Sequence, residues 1–514
     1  MSDKWKLEQS KENWKNKAIA RGVEVRATRK ENSRLKKEPN EWKQKALKNK
    51  NVSEQETRSQ FTKVDVIFLT ISLVLFARLG FRAVARVLKV MGPYLKIDKT
   101  PCAQTVSNWL LRFTIVKMRA NYEQVNENCV KKFTDGWVWF FDLSIAWGRG
   151  KILSVLALDL KHFLNNKRAP KLSDFVCLGV SVAASWTGDK IADFLKKIMD
   201  SVGGSPSAVL KDGGTDLKRS IKLLKQKGTV LVPIDDLSHK IATFFKHEYE
   251  KDPELQLFLS VCGKVSKKFK QTMLASLAPP KISVSARFMN LHRLVQWAQQ
   301  LLHHSKPGIA KKDSMLSKLR MNIDQLPACR AFIKKFLSDA IPMLECQKIL
   351  KSEGLSKISF EKCLKIVNAA TISPSIHNAF ILWGKEHLRA AKELKILPTG
   401  LPISSDALES LFGVGKRLGA GQVKDANRIA ARLPTFCGTF TRDDAEKVSK
   451  ISLAEQKEAF DDQHSLLRQR RRVLSKSGSL ETLAQVKKQK NVECIMRFSN
   501  FQTTPSGNPS LSTA

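Results

Sequence analysis

Four acidic segments are the residues of this chain best suited to chemistry. They read Trp139-Phe140-Phe141-Asp142, Val209-Leu210-Lys211-Asp212-Gly213-Gly214, Ile234-Asp235-Asp236-Leu237-Ser238-His239 and Ser404-Ser405-Asp406-Ala407-Leu408-Glu409-Ser410. The first two end apolar, strand-like runs on a carboxylate, the third closes another such run, and the fourth opens a helix. Carboxylates gathered from separate strands and one helix make an oxygen-rich site for hard divalent cations. Two such cations about 4 Å apart suit in-line phosphoryl transfer. A carboxylate in an apolar strand, as Asp142 is, is costly unless a cation meets it.

Each of these residues also has a local reading. Asp212 could shape an Asp-Gly turn, and Asp142 could pair with Arg149 or Lys151. Asp406 and Glu409 have the spacing of a capping box, with Asp406 as N-cap. Asp235 and Asp236 are candidates for an outer shell around the carboxylates. His239 reads more readily as a satisfied structural histidine than as a phosphate contact. Lys416, seven positions after Glu409 and so nearly on its face, and Arg417 could hold phosphates of a DNA strand.

The elements that must position these residues follow from composition and periodicity. The chain has 514 residues, with 89 Lys and Arg against 48 Asp and Glu, a net charge of +41 that predicts attraction to polyanions. An apolar fraction of 42% excludes a wholly disordered chain. Nine cysteines occur singly, without a C-x-x-C pair, which argues against a zinc ribbon and for a reducing compartment. The most apolar stretch, from Val66 to Ala77, is too short to span a bilayer and reads as a buried helix. A cytoplasmic protein without a membrane partner is expected, at the bacterial nucleoid.

Residues 1–60 read as a basic arm, helical or partly disordered, and residues 61–130 as all-helical. There Gly80 to Leu88, a Gly92-Pro93 break and Thr105 to Phe113 suit a helix-turn-helix, with an ordinary helical hairpin as the alternative. Thr105, Ser107, Asn108 and Arg112 would face DNA. From 131 to 240 the order is three strands, helix, strand, helix, strand, which is the order of a ribonuclease-H-like mixed sheet. Residues 241–400 form an all-helical insertion, and residues 401–440 return to the sheet with the Glu409 helix. A basic helical C-terminal region (441–498, including Arg468 to Arg472) and a disordered tail (499–514) complete the chain. Trp297 in the insertion reads as a core residue, with stacking on a displaced base as the alternative.

The segments VWFFDLSIAWG, VLKDGGTDLKRSI, DDLSHKIA and SSDALESLFGVGK together resemble the bacterial insertion-sequence transposases of the DDE type. The resemblance covers roughly residues 80 to 435. It implies the ribonuclease-H-like fold, with Asp142, Asp212 and Glu409 as the catalytic carboxylates. It further implies two Mg2+ ions, with Mn2+ able to substitute. The expected partners are double-stranded DNA, both element ends and target, and further copies of the chain as a homodimer or higher oligomer. The segment Leu143 to Gly148 lacks the polar His or Thr neighbour common in such proteins. The alternatives are a structure-specific nuclease of the same fold and a DNA-binding derivative without the chemistry.

Overall fold

The computed structural model describes residues 61–132, 136–144, 150–166, 168–270, 272–282, 287–305, 310–396, 400–418, 426–460 and 494–495, with scattered helical positions between 12 and 29. The chain divides into two compact units, Met1–Phe61 and Thr62–Ala514. Most of the expected basic arm lies outside the described residues, as do Arg468 to Arg472 and the 499–514 tail.

The second unit is mixed α/β and mostly helical. It opens with α1 (Lys63–Leu75), α2 (Phe81–Met91) and α3 (Ala103–Lys132). Thr62 starts α1 through a capping box: its hydroxyl accepts from the Asp65 N–H, and the Asp65 carboxylate accepts from the Thr62 N–H. The apolar stretch read as a buried helix is α1, with Ile67, Ile71 and Val74 sealed in the core. At 30 residues, α3 is far longer than a recognition helix.

The sheet is built from β1 (Trp137–Leu143), β2 (Lys151–Asp159), β3 (Phe175–Ala183), β4 (Ala208–Lys211) and β5 (Val232–Asp235). Their spatial order is β5-β4-β1-β2-β3. The strands β1, β2 and β3 run antiparallel in sequence, whereas β1, β4 and β5 are parallel. Between them lie α4 (Leu160–Asn166), α5 (Gly188–Val202) and α6 (Thr215–Gln226). One expectation needs correction: Cys494–Ile495, placed in a helical region by its sequence, pairs antiparallel with β3 as a sixth strand, β6.

Alternation along the strands decides where the carboxylates emerge. Trp137, Trp139 and Phe141 pack with Ile191, Leu195 and Ile221 of α5 and α6 on one face. Val138 and Phe140 join a second core on the other face, which runs on into the helices. Asp142 therefore follows Val138 and Phe140 onto the second face. Phe141 pairs with Lys211, and Lys211 with Asp235. The same register carried one residue further sets Asp142, Asp212 and Asp236 in a row at the ends of three parallel strands.

The insertion is helical throughout its described residues: α7 (Leu237–Tyr249), α8 (Pro253–Phe269), α9 (Arg287–His304), α10 (Met315–Asn322), α11 (Arg330–Glu353), α12 (Lys357–Ala369) and α13 (Pro374–Glu393). The chain then returns through α14 (Asp406–Leu418), α15 (Ala426–Ala430), α16 (Arg442–Lys450) and α17 (Leu453–Phe460). One apolar core is continuous from Ile67 to Ile451. The return is stitched by backbone: Leu355 and Leu401 exchange two hydrogen bonds of 2.8 Å, and the Leu237 N–H donates to the Ile403 carbonyl at 2.9 Å. Gly400 makes the first of these crossings possible. It sits at φ +101°, and a Cβ there would come within 2.6 Å of the Glu353 carbonyl oxygen.

Candidate active site

Three strand ends and two helix starts converge at one end of the sheet. Asp142 lies near the end of β1, half-buried, with its Oδ1 accepting from the adjacent Leu143 N–H at 2.7 Å. Asp212 follows β4, where Gly213 and Gly214 open α6. Glu409 sits in the first turn of α14 and reaches the sheet from above.

His239, in the first turn of α7, stands between them. Its Nδ1 is 3.2 Å from Asp212 Oδ1, and its Nε2 is 3.7 Å from Glu409 Oε1. The histidine is therefore a bridge at the centre of the acidic group, satisfied by two carboxylates. Burial alone would lower its pKa. The contact with Glu409 and the charges of Asp212, Asp236 and Asp142 outweigh that and lift it to about 9. His239 is thus an imidazolium at neutral pH. The same contact holds Glu409 below the usual carboxylate range.

Asp142 is displaced in the opposite sense. Burial, with the negative charges of Asp212 and Asp236 adding to it, pushes its carboxyl up to about 7, against the pull of the Leu143 N–H and the His239 charge.

Asp236 holds the constellation together. It is the N-cap of α7, its Oδ1 accepting from the His239 N–H at 2.8 Å. Its Oδ2 accepts from the Ser405 N–H at 2.6 Å and from the Ser405 hydroxyl at 2.9 Å. One fully buried carboxylate thereby fixes the residue before α14 and the helix that carries His239. Burial raises its pKa in spite of these hydrogen bonds. Asp406 is not the N-cap that its spacing with Glu409 suggested. It is the first residue of α14, and both its oxygens accept from Lys351 Nζ, at 2.8 and 2.6 Å. Glu409 is left for the centre.

Asp235 does not join the group. As the neighbour of Asp236 along a strand it points to the other side, where Lys211 Nζ lies 2.6 Å and Lys240 Nζ 2.8 Å away. These contacts overcome its burial and hold it at about 2. Lys416 and Arg417 lie exposed in the last turn of α14.

Of the residues expected to read DNA from α3, Ser107, Asn108 and Arg112 bond to the chain beyond residue 430. Ser107 accepts from Arg432 at 3.1 Å, Arg112 donates to Gln456 at 2.9 Å, and Asn108 accepts from Gln104 and Gln456. Thr105 lies 3.3 Å from the Cys102 sulfur. The chain beyond residue 430 packs on this face of α3, which the local sequence does not announce. Trp297 donates its indole N–H to the Leu277 carbonyl at 2.9 Å and packs against the core, in keeping with a structural role.

By donor type the centre suits a hard cation: Asp142, Asp212 and Glu409 all offer carboxylate oxygens. As placed, no three His, Cys, Asp or Glu side chains among the described residues stand close enough to hold a metal ion. The charge between Asp212 and Glu409 is instead balanced by His239. Among the described residues no helix is long and apolar enough to cross a membrane. Comparison with protein-family models finds no match, and comparison with curated proteins finds none either.

Proposed function

We propose that this chain is a DDE-type DNA transposase of the insertion-sequence kind, with a ribonuclease-H-like catalytic sheet. The observation that carries the reading is the convergence of Asp142 and Asp212, at the ends of adjoining parallel strands, with Glu409 delivered over them by α14 and joined to Asp212 through His239. The strand order β5-β4-β1-β2-β3, with three antiparallel strands followed by two parallel ones, supports the ribonuclease-H-like assignment. The net charge of +41 supports a nucleic-acid substrate.

In this reading Asp142, Asp212 and Glu409 would hold two Mg2+ ions, or Mn2+ in their place. When bound, the ions supply an activated oxygen nucleophile and neutralise the leaving oxygen. The protein's own part is positioning. Asp236 and Ser405 fix Glu409 over the sheet. His239 compensates the charge of Asp212 and Glu409. Lys416 and Arg417 hold phosphates, and two or more copies of the chain bring together the element ends and the target duplex.

The test is strand cleavage and strand transfer by the purified chain, in Mg2+ and in Mn2+, on donor DNA carrying the sequences that flank its gene. Transfer product is expected, and Asp212→Asn or Glu409→Gln is expected to remove it without abolishing DNA binding. Cleavage that survives both substitutions sinks the assignment, whereas cleavage without transfer favours a structure-specific nuclease. A second reading, a DNA-binding protein that keeps this sheet without its chemistry, draws on one observation: His239 already pairs with Asp212 and Glu409. DNA binding with no metal-dependent cleavage at all would favour it.

A further inference from the structure

The helix before α3 divides its side chains sharply between core and solvent. In α2, Phe81, Val84 and Leu88 are buried in the core. Arg82, Arg86 and Lys89 are exposed. Their i, i+4, i+7 spacing stacks them in one stripe, turned away from the three apolar residues. Val87 and Val90, also exposed, lie beside the stripe. From Arg82 to Lys89 it runs about 10 Å, seven residues at the helical rise.

No acid answers these charges. The sequence has no Asp or Glu between Asp65 and Asp98. Among the described residues no carboxylate pairs with Arg82, Arg86 or Lys89. Surface cations elsewhere are answered: Arg442 by Asp65, Arg119 by Glu455 and Lys362 by Glu353. Like charges one turn apart repel and weaken a helix. Three kept together without a counter-charge therefore fit an anion brought from outside. A helix that binds a membrane surface needs a free apolar face, and that of α2 already lies in the core. An acidic peptide would have to match the stripe in register. Duplex DNA carries a charge every 1.7 Å or so along its axis, so a stripe of about 10 Å meets phosphates in any register.

We propose that the exposed face of α2 is a duplex-DNA interface, with Arg82, Arg86 and Lys89 on backbone phosphates. The choice of duplex rests on the reading of the chain as a DNA-processing protein, but the interface concerns binding and is tested apart from catalysis. It also gives the N-terminal helices a contact surface distinct from Ser107, Asn108 and Arg112, which Arg432 and Gln456 engage. Phosphate contacts are independent of base sequence, so a random duplex serves as probe.

The experiment measures affinity of the full chain for a fluorescently labelled random-sequence duplex across a salt series. The triple variant Arg82→Gln, Arg86→Gln, Lys89→Gln should bind more weakly. Its dependence of log affinity on log salt should flatten by about 0.9 for each of three phosphate contacts, about 2.7 in all. Arg82→Lys with Arg86→Lys, which keeps the charge, retains the slope. The control removes the same charge at the same spacing from α6, as Lys218→Gln, Lys222→Gln, Lys225→Gln. Those lysines are exposed but stand near the pairs Arg219–Asp189 and Lys227–Asp193. The interface is overturned if the α2 variant flattens the slope no more than the α6 variant does. It is equally overturned if the α2 variant keeps the duplex slope but loses binding to vesicles of phosphatidylserine and phosphatidylcholine, which would give the face to a membrane. Should the triple variant fail to fold, Arg86→Gln alone, opposite the buried side of α2, should flatten the slope by about 0.9, and an unchanged slope defeats the proposal. Asp212→Asn separates the two claims: it should keep the wild-type salt slope and lose cleavage. Cleavage retained in that variant defeats the transposase reading and leaves the α2 interface to be judged on its slope.

Discussion

Two sequestered carboxylates in this molecule are treated in opposite ways. Asp339, deep in the insertion and 1% exposed, is surrounded by donors: the Tyr249 hydroxyl, the Ser373 N–H at 2.7 Å and the Ser373 hydroxyl at 2.7 Å. Asp142, at the end of β1, accepts from its neighbour's backbone, and burial pushes its carboxyl up to about 7, with the charges of Asp212 and Asp236 adding to it. Where only the fold is at stake, the chain supplies every donor a buried carboxylate needs. At the end of β1 it sets Asp142 beside further carboxylates instead, a pattern commoner at functional sites than in cores.

The largest expected effect is on chemistry. Asp212→Asn or Glu409→Gln should lower strand cleavage by about a thousandfold, about 4 kcal/mol of transition-state stabilisation, in a gel assay of labelled donor DNA. Variants that cut at the wild-type rate would erase the contrast between the two carboxylates. The next effect is on stability, and its sign differs between the sites. Asp339→Ala strands the Tyr249 hydroxyl and the Ser373 N–H and should cost about 2–4 kcal/mol in urea unfolding. Asp142→Asn should raise stability at pH 8 by about 1–2 kcal/mol, discounted for the partial exposure of the site. A destabilised Asp142→Asn protein would mean that this carboxylate too is structural.

The pH dependence follows from the same centre. His239, raised from 6.5 to about 9, contributes stability that is fully present below pH 6.5 and is lost as pH rises through 9. Asp142, raised from 3.8 to about 7, favours the folded state while protonated, so its ionisation removes stability between pH 3.8 and 7. Melting temperature should therefore fall as pH goes from 6.5 to 9.5, and His239→Asn should flatten that fall. The smallest effect is a rise of a few degrees in melting temperature with millimolar Mg2+ or Mn2+, absent in Asp212→Asn. A rise of equal size in that variant would place cation binding elsewhere.

How much of this was legible in the sequence depends on range. Runs such as Val138 to Phe141 and Val209 to Lys211, each ending on an aspartate, disclosed the strands and the strand-end carboxylates, because apolar periodicity is a local signal. Asp235 and Asp236 could not be separated locally, since their opposite fates depend on which face of β5 meets the centre. The place of His239 depends on how α7 leaves the sheet, and its contact with Glu409 spans the whole insertion. The internal use of Ser107, Asn108 and Arg112 is set by Arg432 and Gln456, more than 300 positions away, and no window around α3 could reveal it.

The stitch between the two ends of the insertion has a wider consequence. Asp236 and Ser405 are 169 positions apart in the chain yet joined directly, so everything between them is topologically a loop whose ends already touch. Closing an unstructured loop of that length costs about 4.5 kcal/mol on the logarithmic scaling of chain entropy. A folded insertion whose termini meet removes that cost before Glu409 arrives. The sheet thereby becomes a socket: another module with equally close ends could be exchanged at Leu237 and Ile403, provided that its first turn restored a cation in the place of His239, and the helical body could diverge under its own demands while the carboxylates stay where they are.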